Sequence, residues 1–112
     1  MENWQQRTAQ LFGDEEHKRL CSAHVLVVGV GGVGAYAAEM LCRAGIGRLT
    51  LVDADTVQPS NINRQLPALH STVGEAKAEV LGKRFHDINP DVQLDIRVQY
   101  LEPENIPALL DE

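Results

Sequence analysis

The sequence predicts an α/β fold built on a parallel sheet with helices on both faces and short helices before the first strand. Two apolar runs of strand length, residues 25–28 and 49–52, flank a stretch with helical periodicity. The first run leads directly into a glycine-rich turn, and the second ends at Asp53. This succession of strand, turn, helix and strand is a βαβ unit, in which the two strands are parallel.

Each element up to the second strand has its own signal. The N-terminal segment favours one or two short helices, with Gly13 as the break between them. Gly45 and Gly47 mark the turn between the first long helix and the second strand. The expected elements are short helices within residues 3–21, a strand over 24–29, a helix over 32–44 and a strand over 48–53.

A long polar loop and a second helix follow. Residues 54–71 contain two prolines, and polar loops of this length in small domains are usually functional. The spacing predicts a helix over 73–88, with Thr72 as its N-cap and Glu75 completing a capping box. Asn89-Pro90 ends this helix, because proline cannot continue it.

A third strand is expected over residues 92–98, and a further helix is expected to start within 103–110. In the strand, every second residue is apolar, which is typical of a half-buried strand. The apolar positions are Val92, Leu94, Ile96 and Val98.

The strand order bears on domain organisation. Right-handed crossovers between parallel strands give the order 3-2-1, with the first strand at an edge. Yet residues 25–28 are uniformly apolar, as in a strand with neighbours on both sides. We therefore expect residues 1–112 to form the N-terminal half of a doubly wound domain, or another chain to cover that edge.

Composition narrows the classes of function. A hydrophobic content of 44% is ordinary for a soluble globular protein, and neither a membrane span nor a signal peptide is evident, so a cytoplasmic location without a membrane partner is expected. The net charge of −6 argues against a nucleic-acid-binding face on these residues, since phosphate neutralisation needs clustered Lys and Arg. Cys21 and Cys42 are expected to be reduced packing cysteines, and no metal site is predicted.

The glycine-rich turn predicts a nucleotide site. In Gly29-x-Gly31-x-x-Gly34, the first glycine allows the tight turn, the second lets the backbone approach a phosphate, and the third lets helix and strand pack closely. The following helix N-terminus offers free N–H groups to an anion. Asp53 is placed to accept hydrogen bonds from ribose hydroxyls. The alternative is a glycine-rich turn that serves packing alone.

An NAD-dependent dehydrogenase would fit these features equally well. The polar loop after the second strand distinguishes an ATP site from an NAD site. A triphosphate carries up to about four negative charges and requires cations aimed at it. Asn61-x-x-Arg64-Gln65 follows the second strand, above the strand ends where ligands bind in open α/β sheets. Arg64 can fork two phosphate oxygens, while Asn61 and Gln65 add neutral hydrogen bonds. The alternative for each of these three residues is an ordinary loop side chain that points into solvent.

Lys77 is a second candidate cation. On a 3.6-residue period, Val73, Val80 and Leu81 form an apolar stripe that includes Lys77. A lysine facing inward needs a charged partner or a route to water, and a triphosphate would supply the partner. Snorkelling along the apolar face is the alternative, and Arg84, which shares the stripe, weakens the inference.

The glycine loop, Asp53-Ala54-Asp55, the segment 60–65 and the segment 72–77 together resemble the ThiF/MoeB family, which includes the ubiquitin-activating enzymes. The resemblance covers nearly the whole chain. It implies a Rossmann-like, ATP-dependent adenylyltransferase that works as a homodimer. In such an enzyme a carboxylate attacks the α-phosphate of ATP and pyrophosphate leaves.

The same resemblance assigns roles to residues. Gly32 and its neighbours would line the phosphates, Asp53 would bind the ribose, and Asn61, Arg64 and Lys77 would hold the triphosphate. Arg7 resembles the arginine that reaches across the family's dimer to the partner's ATP, so Arg7, Arg64 and Lys77 are the catalytic candidates. The ATP-binding candidates are Gly29, Gly31, Gly32, Gly34, Asp53, Asp55, Asn61, Arg64, Gln65 and Lys77.

The resemblance also implies a cofactor ligand outside the sequence. The family's Mg²⁺-binding aspartate would lie beyond residue 112, so the chain alone is expected to be inactive in adenylation. Within the family, the amino-acid sequence of residues 8–13, 62–66 and 100–106 is most similar to the tRNA threonylcarbamoyladenosine dehydratase branch, which activates a modified adenosine in tRNA. Other branches adenylate the C-terminal glycine of a ubiquitin-like or sulfur-carrier protein.

Two further classes stay open. The first is an NAD-binding Rossmann protein, which would use the glycine loop and Asp53 but leave Arg64 and Lys77 unexplained. The second is a non-catalytic module that uses the fold to dimerise or dock a protein. Binding of ATP against NAD separates these classes.

Overall fold

The computed structural model describes residues 3–110 and contains a three-stranded parallel sheet. Its strands are β1 (His24–Val28), β2 (Arg48–Val52) and β3 (Gln93–Arg97). Their order is β1-β2-β3, with β2 in the centre, which confirms the order expected from right-handed crossovers. The three strands lie side by side with their first and last residues in register, so that their carboxyl ends meet at one edge of the sheet.

Five helices accompany the sheet within residues 3–110: α1 (Gln6–Phe12), α2 (Asp14–Cys21), α3 (Val33–Ala44), α4 (Lys77–Ile88) and α5 (Ile106–Leu110). Two 3₁₀ turns, Pro59–Asn61 and His70–Thr72, lie in the long loop after β2. Gly13 separates α1 from α2, as its position in the sequence predicts, and adopts φ +86°. None of these helices is long and apolar enough to cross a membrane.

The hydrophobic core lies between one face of the sheet and the helices α3 and α4. Leu49 and Leu51 of β2 point to this face together with half-buried residues of β1 and β3. Leu81 and Phe85 of α4 are fully buried against them. The opposite face carries polar groups, among them Thr50, whose hydroxyl lies 2.7 Å from Nε2 of His24. The core therefore fixes α3 and α4, whose first residues border the site described below.

The start of α4 differs from the sequence prediction. The helix begins at Lys77, not at residue 73, and its N-cap is Ala76, which makes no side-chain cap hydrogen bond. Gly74 has φ +92°, and its N–H donates to the carbonyl of Val57 at 2.9 Å. Loop-to-loop pairing, which includes a bridge between Thr56 and Ala76, therefore holds this segment extended.

The predicted capping box is consequently wrong. Thr72 ends a 3₁₀ turn, where its hydroxyl accepts a hydrogen bond from the Leu69 N–H at 2.9 Å and donates to the Pro67 carbonyl at 2.7 Å. The hydroxyl thus stabilises the loop before α4 and does not cap the helix. Val73 lies outside the helix and is exposed, so it is not part of a buried stripe.

Arg84 has a structural partner. Its guanidinium pairs with the carboxylate of Glu39 on α3, and Arg43 donates to the same carboxylate at 3.2 Å. Hydrogen bonding from Arg84 outweighs the effect of burial and lowers the pKa of Glu39. The presence of Arg84 on α4 is thus explained by a link between the two helices, and it does not bear on Lys77.

Both cysteines are free thiols, as expected. Cys42 is buried in the core and its thiol donates to the carbonyl of Phe85 at 3.3 Å. Desolvation raises the pKa of Cys42 to about 11, so the thiol stays protonated at neutral pH. Cys21 is exposed at the end of α2, so the expectation that it is a packing cysteine is wrong. Cys42 thus behaves as a packing residue.

Candidate nucleotide-binding site

Two adjoining clefts open at the carboxyl ends of the strands. The first has a volume of about 200 Å³ and the second of about 460 Å³, and both are lined by Ala54, Asp55 and Tyr100. The first is also lined by Val28, Gly29, Val52, Asp53, Gln99 and Leu101. The second is also lined by Thr56, Gln58, Asn61 and Lys77. Ligands of open α/β sheets bind at this edge.

The glycine turn between β1 and α3 is shaped by contacts that a side chain would disturb. Gly29 has φ +85°, a region that favours glycine, and its N–H donates to the Val52 carbonyl at 2.8 Å. A Cβ on Gly34 would collide with the carbonyl oxygen of Gly29. The turn and close-packing roles predicted for these two glycines are therefore confirmed.

Gly31 leaves free a space that the site uses, while its expected approach to a phosphate stays a prediction. A Cβ at this position would lie 2.7 Å from Oε1 of Gln65 and 3.1 Å from Nζ of Lys77. The space that glycine leaves free is thus occupied by two side chains of the candidate site. At Gly32, by contrast, a Cβ would meet nothing within 4 Å. Gly32 is the N-cap of α3, where the first N–H groups of the helix are open to an anion.

Asp53 joins the glycine turn to the loop after β2. Its Oδ2 accepts a hydrogen bond from the Val30 N–H at 2.8 Å, and its Oδ1 accepts one from the Asp55 N–H at 2.8 Å. Two backbone donors therefore fix the orientation of the carboxylate at the first cleft. Each oxygen keeps a second lone pair, which can accept a hydroxyl hydrogen of a sugar.

Lys77 is only 6% exposed, and it lines the second cleft as the first residue of α4. Its N–H donates to the Asp55 carbonyl at 3.1 Å, which fixes the start of the helix against the loop. Within residues 3–110, no carboxylate lies within ion-pair distance of its ammonium group. A buried charge without a counter-ion is unfavourable, so the geometry favours an anionic ligand.

Asn61 lines the second cleft from the loop, whereas Gln65 lines neither cleft and lies above Gly31. Asn61 is buried, and its Oδ1 accepts from the Gln58 N–H at 2.9 Å, which leaves its amide nitrogen as a donor beside the second cleft. Oε1 of Gln65 is buried and has no hydrogen-bond partner. Of the residues predicted from the sequence, Gln65 and Lys77 thus lie at the glycine turn, and Asn61 shares the second cleft with Lys77.

Arg64 is not brought to the clefts. Its guanidinium is exposed and donates to the Ser60 carbonyl at 3.0 Å and to Oδ1 of Asn63 at 2.8 Å, both within its own loop. It lines neither cleft, so the expected convergence of Arg64 with Lys77 is absent from this conformation. Both contacts are local and exposed, so a side-chain rotation can release them.

Arg7 is exposed on α1 and also lines neither cleft. The neighbouring residue Gln5 lies within 3.5 Å of where a Cβ of Gly45 would be, at the amino ends of the strands. The N-terminal helices therefore begin at the edge opposite the clefts. The part that Arg7 takes in a site stays a prediction.

The segment after β3 forms a wall of the site that was not predicted from the sequence. Gln99, Tyr100 and Leu101 line the first cleft, and Tyr100, which is 72% exposed, lines both clefts. The signal was present, because these residues follow a parallel strand at the same edge as Asp53. The site thus has an acidic and partly apolar side at Asp53 and a cationic side at Lys77.

A parallel α/β sheet with a glycine turn, a fixed carboxylate and a buried lysine defines a nucleotide-binding domain of the Rossmann-like type. The ThiF family model matches residues 5–112, and the chain belongs to the ThiF family.

Proteins named tRNA threonylcarbamoyladenosine dehydratase are among its relatives. That of Escherichia coli (strain K12) is 45% identical over 106 residues, covering 92% of this chain and 40% of the relative. That of Bacillus subtilis (strain 168) is 48% identical over 105 residues, covering 94% of this chain and 41% of the relative. The chain therefore spans about two fifths of the length of these relatives.

Solved structures give the same grouping. The crystal structure of the Escherichia coli dehydratase, TcdA, in complex with ATP matches with a TM-score of 0.92 at 42% identity. The match covers 99% of this chain and 47% of that one. The fold predicted from the sequence is therefore confirmed.

Proposed function

We propose that this chain is the ATP-binding half of an enzyme that adenylates a carboxylate, and that the enzyme is a tRNA threonylcarbamoyladenosine dehydratase. The observation that carries the proposal is the buried ammonium of Lys77, which lies beside the glycine turn and has no counter-ion within residues 3–110. Support comes from the dehydratases named above and from the complex of one of them with ATP. We assign the protein to the cytoplasm.

ATP would lie across both clefts. The fixed carboxylate of Asp53 accepts hydrogen bonds from the ribose, and Tyr100 borders the cleft that takes the adenine. The phosphates run toward Lys77, where Asn61 donates from its amide and Gly32 opens the N-terminus of α3. A triphosphate neutralises the lysine, which explains why that charge is tolerated in a buried position.

Lys77 and Arg64 would stabilise the negative charge that develops on the leaving pyrophosphate. The acceptor carboxylate attacks the α-phosphate and the bond to the β-phosphate breaks, so negative charge builds up on the departing pyrophosphate. Lys77 stabilises that charge from a fixed position, and Arg64 adds a second cation once it leaves Ser60 and Asn63. We propose that Arg7 completes the site of the partner subunit in a homodimer.

The residues described here do not make up a Mg²⁺ site. No group of three metal-ligating side chains occurs in the described part of the chain. Both oxygens of Asp53 already accept backbone hydrogen bonds. We propose, from the resemblance to the family, that the Mg²⁺-binding aspartate lies beyond residue 112.

We propose that residues 1–112 form half of a doubly wound domain. Within the described range, β1 has one neighbour, and Val28 at its carboxyl end is half exposed. A further strand beside β1 would remove this open edge. The net charge of −6 argues against a basic face for tRNA on these residues. That face would have to come from the second half or from the partner subunit.

The substitution Lys77→Ala in the complete enzyme tests the proposal. We expect ATP–pyrophosphate exchange to fall roughly 10²–10³-fold, since a fixed donor at the developing charge is lost. Lys83→Ala is the matched control, because Lys83 is an exposed lysine on the same helix, outside both clefts. Equal exchange rates in the two variants would contradict the proposal.

A second acceptor class has its own support. A relative named adenylyltransferase and sulfurtransferase UBA4 of Lodderomyces elongisporus is 39% identical over 95 residues. The corresponding alternative for this enzyme is adenylation of the C-terminal glycine of a ubiquitin-like or sulfur-carrier protein. Supplying threonylcarbamoyladenosine-containing tRNA or a carrier protein as the acceptor decides between them. Binding of NAD without ATP, or of neither, would instead favour a Rossmann protein of another class or a non-catalytic module.

A further inference from the structure

Two unpaired polar groups share the space above Gly31. Oε1 of Gln65 is buried without a hydrogen-bond partner, and Nζ of Lys77 belongs to a side chain without an ion pair in the described part of the chain. A Cβ at Gly31 would be 2.7 Å from the first atom and 3.1 Å from the second. The two atoms therefore lie within a few ångströms of one point in the site.

The two groups are chemically complementary. The amide oxygen is an acceptor that lacks a donor, and the ammonium group has three N–H donors. Leaving a buried acceptor unsatisfied is unfavourable, and a hydrogen bond to a charged donor is stronger than one to a neutral donor. The arrangement would be satisfied by a small movement of the lysine toward the glutamine.

We propose that Gln65 is a positioning residue for Lys77. When ATP is bound, Oε1 of Gln65 accepts one N–H of the ammonium group and thereby directs the other two toward the phosphates. The inference rests on the proposed function, in which Lys77 contacts the phosphates of ATP. It goes further by assigning Gln65 a role through the lysine instead of on the nucleotide.

The orientation of the amide supports this role. The oxygen of Gln65, and not its nitrogen, is the atom above Gly31. A carbonyl oxygen cannot hydrogen-bond to an ionised phosphate oxygen, because both are acceptors. The competing arrangement turns the amide over, so that its nitrogen donates directly to a phosphate. The two arrangements differ in whether Gln65 depends on Lys77.

A double-mutant cycle separates them. The affinity for ATP and for adenosine, which has no phosphate, is measured by calorimetry for the protein and for Gln65→Met, Lys77→Met and the double variant. We expect Gln65→Met to weaken ATP binding about tenfold and to leave adenosine binding unchanged. In the Lys77→Met background, Gln65→Met should have no further effect on ATP.

Several results would overturn the inference. A loss from Gln65→Met that is equally large without Lys77 shows a direct phosphate contact. An equal loss for ATP and adenosine shows a structural role, and no loss shows no role. If Lys77→Met itself binds ATP as the parent protein does, the proposed function has failed and the inference fails with it.

Discussion

At the scale of single residues, the site depends on which atoms are left without partners. Within residues 3–110, Lys77 is buried without a counter-ion and Oε1 of Gln65 is buried without a donor. The Asp53 carboxylate accepts two backbone N–H groups and keeps a lone pair on each oxygen for a ligand. The residue types and their order along the chain predicted Asp53 and Lys77. The chain alone could not show that Gly31 makes room for two side chains, because that contact joins segments distant in sequence.

Arg64 shows that the residue type and its place in the sequence do not determine where a side chain points. An arginine in the loop after β2 was expected to face the phosphates, yet its guanidinium bonds to its own loop. An exposed arginine has many rotamers of similar energy, so a local carbonyl and amide suffice to hold it when no anion is present. The sequence pattern predicts the backbone position of such a residue, but not the rotamer that its side chain adopts.

The glycines yield a prediction about stability. Gly34→Ala is expected to lower the free energy of unfolding by about 1–3 kcal/mol, because the new Cβ would collide with the Gly29 carbonyl and force the turn and α3 apart. Gly32→Ala, in open space, is the control and should change it by less than about 1 kcal/mol. Urea denaturation of both variants measures the difference, and equal midpoints would contradict the packing argument.

At the scale of elements, the strands and α3 were predicted to within one or two residues, whereas the start of α4 was not. Apolar runs and glycine turns are local signals, so they place β1, α3 and β2 directly. Thr72 and Glu75 have the spacing of a capping box, but pairing of the loop segments around Thr56 and Ala76 overrides it. Tertiary contacts therefore decided where this helix begins.

The link between α3 and α4 yields a second stability prediction. Glu39→Gln is expected to lower the free energy of unfolding by about 1–2 kcal/mol at pH 7, since it removes the charge that pairs with Arg84 and Arg43. Glu16→Gln is the control, because Glu16 makes an exposed ion pair with Arg19. Chemical denaturation of both variants checks the difference.

The same pair fixes the sign of the pH dependence. The pKa of Glu39 is lowered in the folded state from an ordinary value of 4.5. Its stabilisation is therefore present above about pH 4.5 and is lost as the pH falls through the folded-state pKa. The difference in stability between the parent protein and Glu39→Gln should shrink in that range. A difference that is constant from pH 7 to pH 3 would show that the charge is not the cause.

At the scale of the whole molecule, the fold explains why the nucleotide-binding groups lie together and why we propose a second half of the domain. The order of the strands followed from the handedness of parallel crossovers, and the apolar β1 at the sheet edge suggested a missing neighbour. The clefts collect the groups for a nucleotide at the carboxyl ends of the strands. We propose that the metal ligand lies in the second half of the domain, and that a basic surface for tRNA comes from that half or from the partner subunit.

The central claim is that one ATP molecule joins Asp53 to Lys77 across the two clefts. A crystal structure of the protein with a non-hydrolysable ATP analogue tests it most directly. We predict ribose hydroxyls within hydrogen-bond distance of the Asp53 carboxylate and phosphate oxygens within that distance of Nζ of Lys77, with Arg64 turned away from Ser60. A bound analogue whose phosphates lie elsewhere, with Lys77 still unpaired, would contradict the account.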